Sequence, residues 1–173
     1  INGYQAIGDE KYVIQVTKII EAIELNHSNQ NALFNFHSDI NDKLIAPKFE
    51  IVDSVCPSAN SMVCELFLWF GFIKNLPEYT IHGKSMLAAV LEQAQSNPIY
   101  FANWLRIHSQ WIENPQAIVK YNSSTVNEAE LLDISANCIP VVDLPHRFMV
   151  CIGDHCLSPC SDVETLIEQL NTI

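Results

Sequence analysis

Residues 58–95, SANSMVCELFLWFGFIKNLPEYTIHGKSMLAAVLEQAQ, decide the fold. From Leu66 to Ile73 the chain is apolar throughout, with Gly71 the one small residue in the run. That length suits a buried helix and falls well short of the roughly 18 apolar residues that a membrane span needs. The spacing predicts one helix from about Ser58 to Ile73. A second starts near Pro77, whose missing N–H costs little in a first turn, and runs to about Gln95. A short turn between two such helices makes a helical hairpin.

Reading outward, Tyr12, Val13, Val16, Ile19, Ile20 and Ile23 recur at helical spacing and predict a helix from Asp9, its N-cap, to about Leu25. Ile1 to Ile7 reads as the end of an earlier helix, so the chain opens in mid-pattern, as a cut fragment would. Leu33 to His37 alternates like a short strand, Leu44 to Ala46 reads as its return, and Pro47 ends it, giving a β-hairpin at about 33–46. A loop from Lys48 to Pro57 leads into the apolar helix. Asn97-Pro98 predicts a further helix to about Glu113. Gly3 to Val13, GYQAIGDEKYV, is similar to Gly71 to Thr80, GFIKNLPEYT, with Tyr12 matching Tyr79. Repeated helical hairpins imply a stacked or toroidal α/α architecture.

The texture changes after residue 115. Ala117 to Tyr121, Ile139 to Leu144 and Arg147 to Ile152 read as strands. Thr125-Val126-Asn127-Glu128 and Ser161-Asp162-Val163-Glu164 are capping-box patterns, predicting helices to about Asn137 and Asn171. The expectation is therefore a mainly α chain: residues 1–115 as part of an α/α toroid with a short β-hairpin, and 116–173 as a small α/β tail.

The formal net charge is −11, from 20 acidic and 9 basic residues, and the basic residues form no patch. Such a chain is repelled by phosphate backbones and anionic lipid, which argues against nucleic acid and membrane as partners. With no basic, apolar leader at the start and a rich apolar core, a cytoplasmic location is expected, with the six cysteines as reduced thiols.

The segment Leu33 to Ser61, LFNFHSDINDKLIAPKFEIVDSVCPSANS, resembles a family that joins a thioredoxin-like domain to an N-acylglucosamine 2-epimerase-like, six-hairpin glycosidase-like toroid. The matching positions are Glu50, Asp53 and Pro57-Ser58-Ala59-Asn60-Ser61, with Ala59 where the family has Gly. The tail is similar as well: Val150-Cys151, Cys156-Leu157-Ser158-Pro159 and Asp162, with Cys160 where an aliphatic residue is usual. Asn97-Pro98-Ile99-Tyr100-Phe101 resembles the turn before the family's last toroid helix. The resemblance implies that the first part of the toroid and the thioredoxin-like domain are missing partners. A sugar or small polar ligand is then expected, together with self-association through helix faces that the missing helices would cover.

Glu50 and Asp53 are the candidate catalytic carboxylates, because paired carboxyl groups on a rim loop can do acid–base work on a sugar. Ser58, Asn60, Ser61 and His37 are the candidate binding residues, placed at a helix start or on the hairpin beside it. The same residues also have a purely structural reading, with Ser58 capping the helix, Asn60 and Ser61 serving its first turn, and Asp53 holding the loop. Trp69, Phe70, Phe72, Trp104 and Trp111 read as core at helical spacing, with sugar stacking as the alternative. Cys151, His155, Cys156 and Cys160 are zinc-type ligands, but C-x4-C and C-x3-C are not the usual close-spaced zinc pattern, and no metal is assigned. A redox pair lacks C-x-x-C, and packing is the remaining reading. No Gly-rich phosphate loop or recognisable Ser-His-Asp context occurs, and no cofactor is expected. Two functions stay open: one wall of a carbohydrate-processing pocket, or a non-catalytic scaffold or interaction module attached to a thioredoxin-like domain.

Overall fold

The structure, a computed structural model, describes Tyr4 and residues 9–29, 31–38, 48–113, 115, 117–132, 134, 136–141, 144–152 and 155–173. The described residues hold five α-helices and a four-stranded mixed sheet. This overturns the expected partial toroid. Among the described residues helical hairpins do not repeat, and a small α/β arrangement takes their place. The proposed repeat partner, Gly3 to Val13, lies largely outside the described residues, as does the returning strand Leu44 to Ala46. Leu33 to His37 forms no strand. Its backbone bonds go elsewhere, Asn35 N–H to His27 O and Phe36 N–H to Lys48 O.

The chain divides into two compact units, residues 14–113 and residues 1–13 with 114–173. In the first unit, the part of helix α1 (Glu10–His27) beyond Val13 is followed by α2 (Ala59–Lys74), α3 (Pro77–Ser96) and α4 (Ala102–His108). Ser58 caps α2, accepting from Ser61 N–H, and Asn75 ends it in the left-handed region at φ 55°. Asn tolerates that conformation better than most residues. The helix expected after Asn97 is broken into a 3₁₀ turn (Pro98–Tyr100), α4 and a π-helical turn (Ser109–Glu113).

Helices α2 and α3 approach closely because glycines meet at their contact. A Cβ on Gly71 would stand 2.7 Å from Thr80 N and 2.9 Å from Leu76 O, and one on Gly83 would stand 2.8 Å from Leu68 Cγ. The Cys64 thiol, buried between them, donates to Gly83 O at 3.3 Å. Phe67 is the centre of an aromatic group, edge-on to Phe34, Tyr79 and His82 at ring distances of 5.5, 5.3 and 5.0 Å. Helix α2 is buried over the consecutive residues Phe67 to Gly71, so that stretch is enclosed on every side and needs its apolar run.

The other unit carries the sheet, in the order β2 (Asn137–Val141), β1 (Ala117–Asn122), β3 (Phe148–Ile152), β4 (His155–Cys156). Strand β1 runs parallel to β2 and antiparallel to β3. One face carries Val119, Tyr121, Phe148 and Val150, which form a core with Cys160 and with Leu166 of α5 (Val163–Asn171). The helix expected from Thr125 shrinks to a 3₁₀ turn, Glu128–Leu131. Its cap is Asn127, two residues later, in a reciprocal box with Glu130. Asp162 caps α5 through Thr165 N–H.

Cys151 and Cys156 form a disulfide across the β3–β4 pair. This corrects the expectation of reduced thiols throughout. The register places the two residues directly opposite each other, which spacing alone does not reveal. Cys56, Cys64, Cys138 and Cys160 are free. Among the described residues no group of His, Cys, Asp or Glu is arranged to hold a metal, and no helix is long and apolar enough to cross a membrane.

Two predictions follow from these contacts. Gly71→Ala presses a methyl onto backbone atoms that cannot give way and costs about 2–4 kcal/mol. Gly83→Ala meets the buried Leu68 side chain before any backbone atom and is expected to cost less, about 1–3 kcal/mol. Urea unfolding of both variants measures the order. In the sheet unit, the Asn127 N–H and then Arg147 hold the Glu130 carboxyl below its ordinary range, and the backbone and hydroxyl of Thr165 do the same for Asp162. Both pKa values are depressed in the folded state, so their stabilisation is present above the ordinary values of 4.5 and 3.8 and is lost as pH falls through the folded ones. Glu130→Gln flattens the acid limb of a Tm-against-pH profile.

Candidate functional site

The loop ahead of α2 contains little regular backbone pairing, so its polar groups must find partners elsewhere. They find them in a buried knot. Asp53 is 8% exposed, and Ser58, Asn60 and Ser61 are more buried still. Asp53 Oδ1 accepts from Ser58 N–H at 2.8 Å and from the Ser61 hydroxyl at 3.3 Å, and Oδ2 accepts from Asn103 N–H at 2.8 Å. The carboxylate thus sits at the starts of both α2 and α4, where exposed N–H groups and the helix dipoles favour an anion. Its own N–H donates to Tyr100 O at 2.7 Å, tying the loop to the 3₁₀ turn.

Asn60 performs the corresponding task on the other side. Its Oδ1 accepts from Phe34 N–H at 2.8 Å, and its Nδ2 donates to Phe34 O at 3.0 Å and Glu50 O at 3.1 Å. One side chain therefore satisfies a whole peptide edge of the 33–37 segment, which explains why that segment needs no strand partner. Trp104, 2% exposed, sends its indole N–H to Ile51 O at 2.9 Å and to Ser58 Oγ at 3.2 Å. Asn103 Nδ2 donates to Ser61 Oγ at 2.9 Å, and its Oδ1 accepts from Arg106, which also pairs with Glu65 at 2.6 Å.

The structure therefore brings Asp53, Ser58, Asn60 and Ser61 together. Glu50 joins only through its backbone carbonyl, and its residue is exposed. His37 is exposed, edge-on to Phe36 at 5.0 Å, and takes no part in the knot. In the tail, Cys151 and Cys156 are bonded to each other, His155 is exposed beside them, and Cys160 lies in the core on the other sheet face. Sequence reasoning missed Asn103 altogether; it read Trp104 as core, which it is, but did not place its indole N–H in the knot. An indole N–H has a single donor that requires a buried acceptor, which is the one available signal for Trp104. Nothing in the local sequence marks Asn103. His82 is half-buried, stacked on Phe34 and within 2.8 Å of Ala32 O.

Chemically, this arrangement holds rather than reacts. Each Asp53 oxygen is engaged by a short backbone N–H bond. A shallow apolar crevice lies between α3 and α4, lined by residues including Leu87, Val90, Ala94 and Leu105.

Asp53→Ala leaves Ser58 N–H and Asn103 N–H buried without acceptors and is expected to cost about 3–5 kcal/mol. Asp53→Asn keeps one acceptor but turns an amide N–H toward Asn103 N–H, or toward Ser58 N–H if flipped, and costs about 2–3 kcal/mol. Chemical denaturation distinguishes these from a merely functional carboxylate, whose loss leaves stability unchanged. No family model matches this chain, and no curated protein matches it.

Proposed function

We propose that the chain is a non-catalytic scaffold, an interaction module, and that it does not supply the acid–base wall of a carbohydrate pocket. The observation that carries this reading is the complete engagement of Asp53, whose two oxygens cap two helices inside the protein. A general acid or base must reach a ligand's proton within hydrogen-bond distance. An 8% exposed carboxylate with both oxygens taken has no such reach.

The surface around the knot supports the same reading. The bond from Asp53 N–H to Tyr100 O sets two loop segments side by side, and these present Val52, Val55, Ile99 and Tyr100 at 49, 105, 80 and 55% exposure. Exposed apolar side chains on a rigid base suit a protein contact better than a sugar, which requires convergent polar groups. The occupant we assign is a second copy of the chain. Apolar contact between copies is opposed at low salt by the net charge of −11 and is favoured once salt screens it.

Sedimentation velocity at rising salt tests this. The wild type is expected to self-associate increasingly, while Val55→Asp/Ile99→Asp remains monomeric. A thermal-shift screen with neutral and amino sugars provides the counter-test, using Glu50→Gln because that side chain is exposed and the substitution leaves the knot intact. A sugar that stabilises the wild type but not Glu50→Gln would overturn the scaffold reading and restore the pocket.

A further inference from the structure

The disulfide of the sheet unit has features that a structural staple does not need. Cys151 and Cys156 are five positions apart, and the β3–β4 ladder already aligns them as direct partners, with Ile152 opposite His155. Cross-links stabilise most when they close long loops. This one closes a ring that the ladder itself defines, and the ladder continues beyond it: Leu157 N–H bonds Val150 O at 2.7 Å, and Phe148 and Cys160 exchange two bonds of 3.1 Å. The backbone that aligns the two sulfurs is therefore fixed without the covalent bond.

The two sulfurs are unequally accessible. Cys156 is exposed, whereas Cys151 is 0% exposed. An attacking thiolate has access to one end only, and exposed disulfides are the labile ones. The other thiols of the unit are set apart. Cys138 is register partner to Val119 and Cys160 to Phe148, both on the α5-covered face, whereas Cys151 is register partner to Ile118 on the opposite face. Burial raises the pKa of both Cys138 and Cys160, which keeps them protonated and poorly nucleophilic. Scrambling to a neighbouring cysteine is thus disfavoured, and the pair can open and close as a unit.

We propose that Cys151–Cys156 is a thiol–disulfide exchange site that takes electrons from a dithiol reductant attacking at Cys156. A thiolate of the dithiol bonds to Cys156 Sγ, the Cys151–Cys156 bond breaks, and Cys151 leaves as a thiolate and takes up a proton. The reductant's second thiol gives up its proton and displaces Cys156 from the mixed disulfide, and Cys156 is protonated in turn. The site gains two electrons and two protons, and the dithiol becomes a disulfide. In the reduced form the ladder keeps the two thiols opposite each other, so an oxidised disulfide such as glutathione disulfide closes the bond again by the reverse steps.

The test uses the native protein. Dithiothreitol is titrated in, samples are alkylated, and the tryptic fragment beginning at Phe148 is read by mass spectrometry for Cys151, Cys156 and Cys160. The expected result is reduction of the pair at least about tenfold faster than alkylation of Cys160, which reports unfolding, followed by re-closure with oxidised glutathione. Cys151→Ser is expected to hold glutathione on Cys156, while Cys156→Ser holds little on the buried Cys151. Reduction only under conditions that also alkylate Cys160 would overturn the proposal, and so would equal trapping in the two variants. The wild-type measurement decides even where a variant fails to fold.

Discussion

One buried anion organises the helical unit. Asp53 lies ahead of α2 and 50 residues before Asn103 in sequence, yet its carboxylate bonds the N–H groups at the starts of both α2 and α4. Removing a carboxylate from water is costly unless several donors replace the solvent. Here the donors are two backbone N–H groups, which would be unsatisfied without it, and the Ser61 hydroxyl, which also reaches Ser58 O at 2.9 Å. Each side of the arrangement therefore requires the other. The irregular loop, the break at Pro98 and the short α4 all follow from placing two helix starts around one charge.

The remaining contacts of that unit extend from this knot. Asn60, the second residue of α2, holds Phe34, and Phe34 in turn meets Phe67 and His82. Farther along α2 the glycine contacts at Gly71 and Gly83 let α3 come close enough for Phe67 and Phe70 to meet Tyr79 edge-on at 5.3 and 5.1 Å. Polar anchoring at one end and backbone proximity at the other fix the helix pair with little need for a hydrophilic face.

The sheet unit is built differently. Its central strand, β1, is flanked by a parallel and an antiparallel neighbour, and its core is closed by α5 on one face. The edge strand β4 is only two residues long, a form that limits edge-to-edge pairing with other chains. The disulfide occupies that edge, with Cys156 exposed and Cys151 buried.

Local signals in the sequence determined the helices α1, α2, α3 and α5 and the strands β1 and β3, because apolar periodicity, capping residues and a first-turn Pro act within a few residues of the element they specify. The cap Ser58 is of this kind, whereas α5 is capped by Asp162, one residue after the Ser161 that the capping-box pattern names. The Ser58–Ser61 cluster was legible as a helix start as well as a pocket, but a sequence assigns no partner to a carboxylate. Only the tertiary structure decided that Asp53 bonds Asn103, that Asn60 replaces a strand partner for Phe34, and that Cys151 faces Cys156. It also decided the architecture. A toroid requires repeated packing between distant helices, whereas the long-range hydrogen bonds and β register of the described residues lead elsewhere. Contacts between residues tens of positions apart depend on the whole chain's burial and polar satisfaction, which no local window contains.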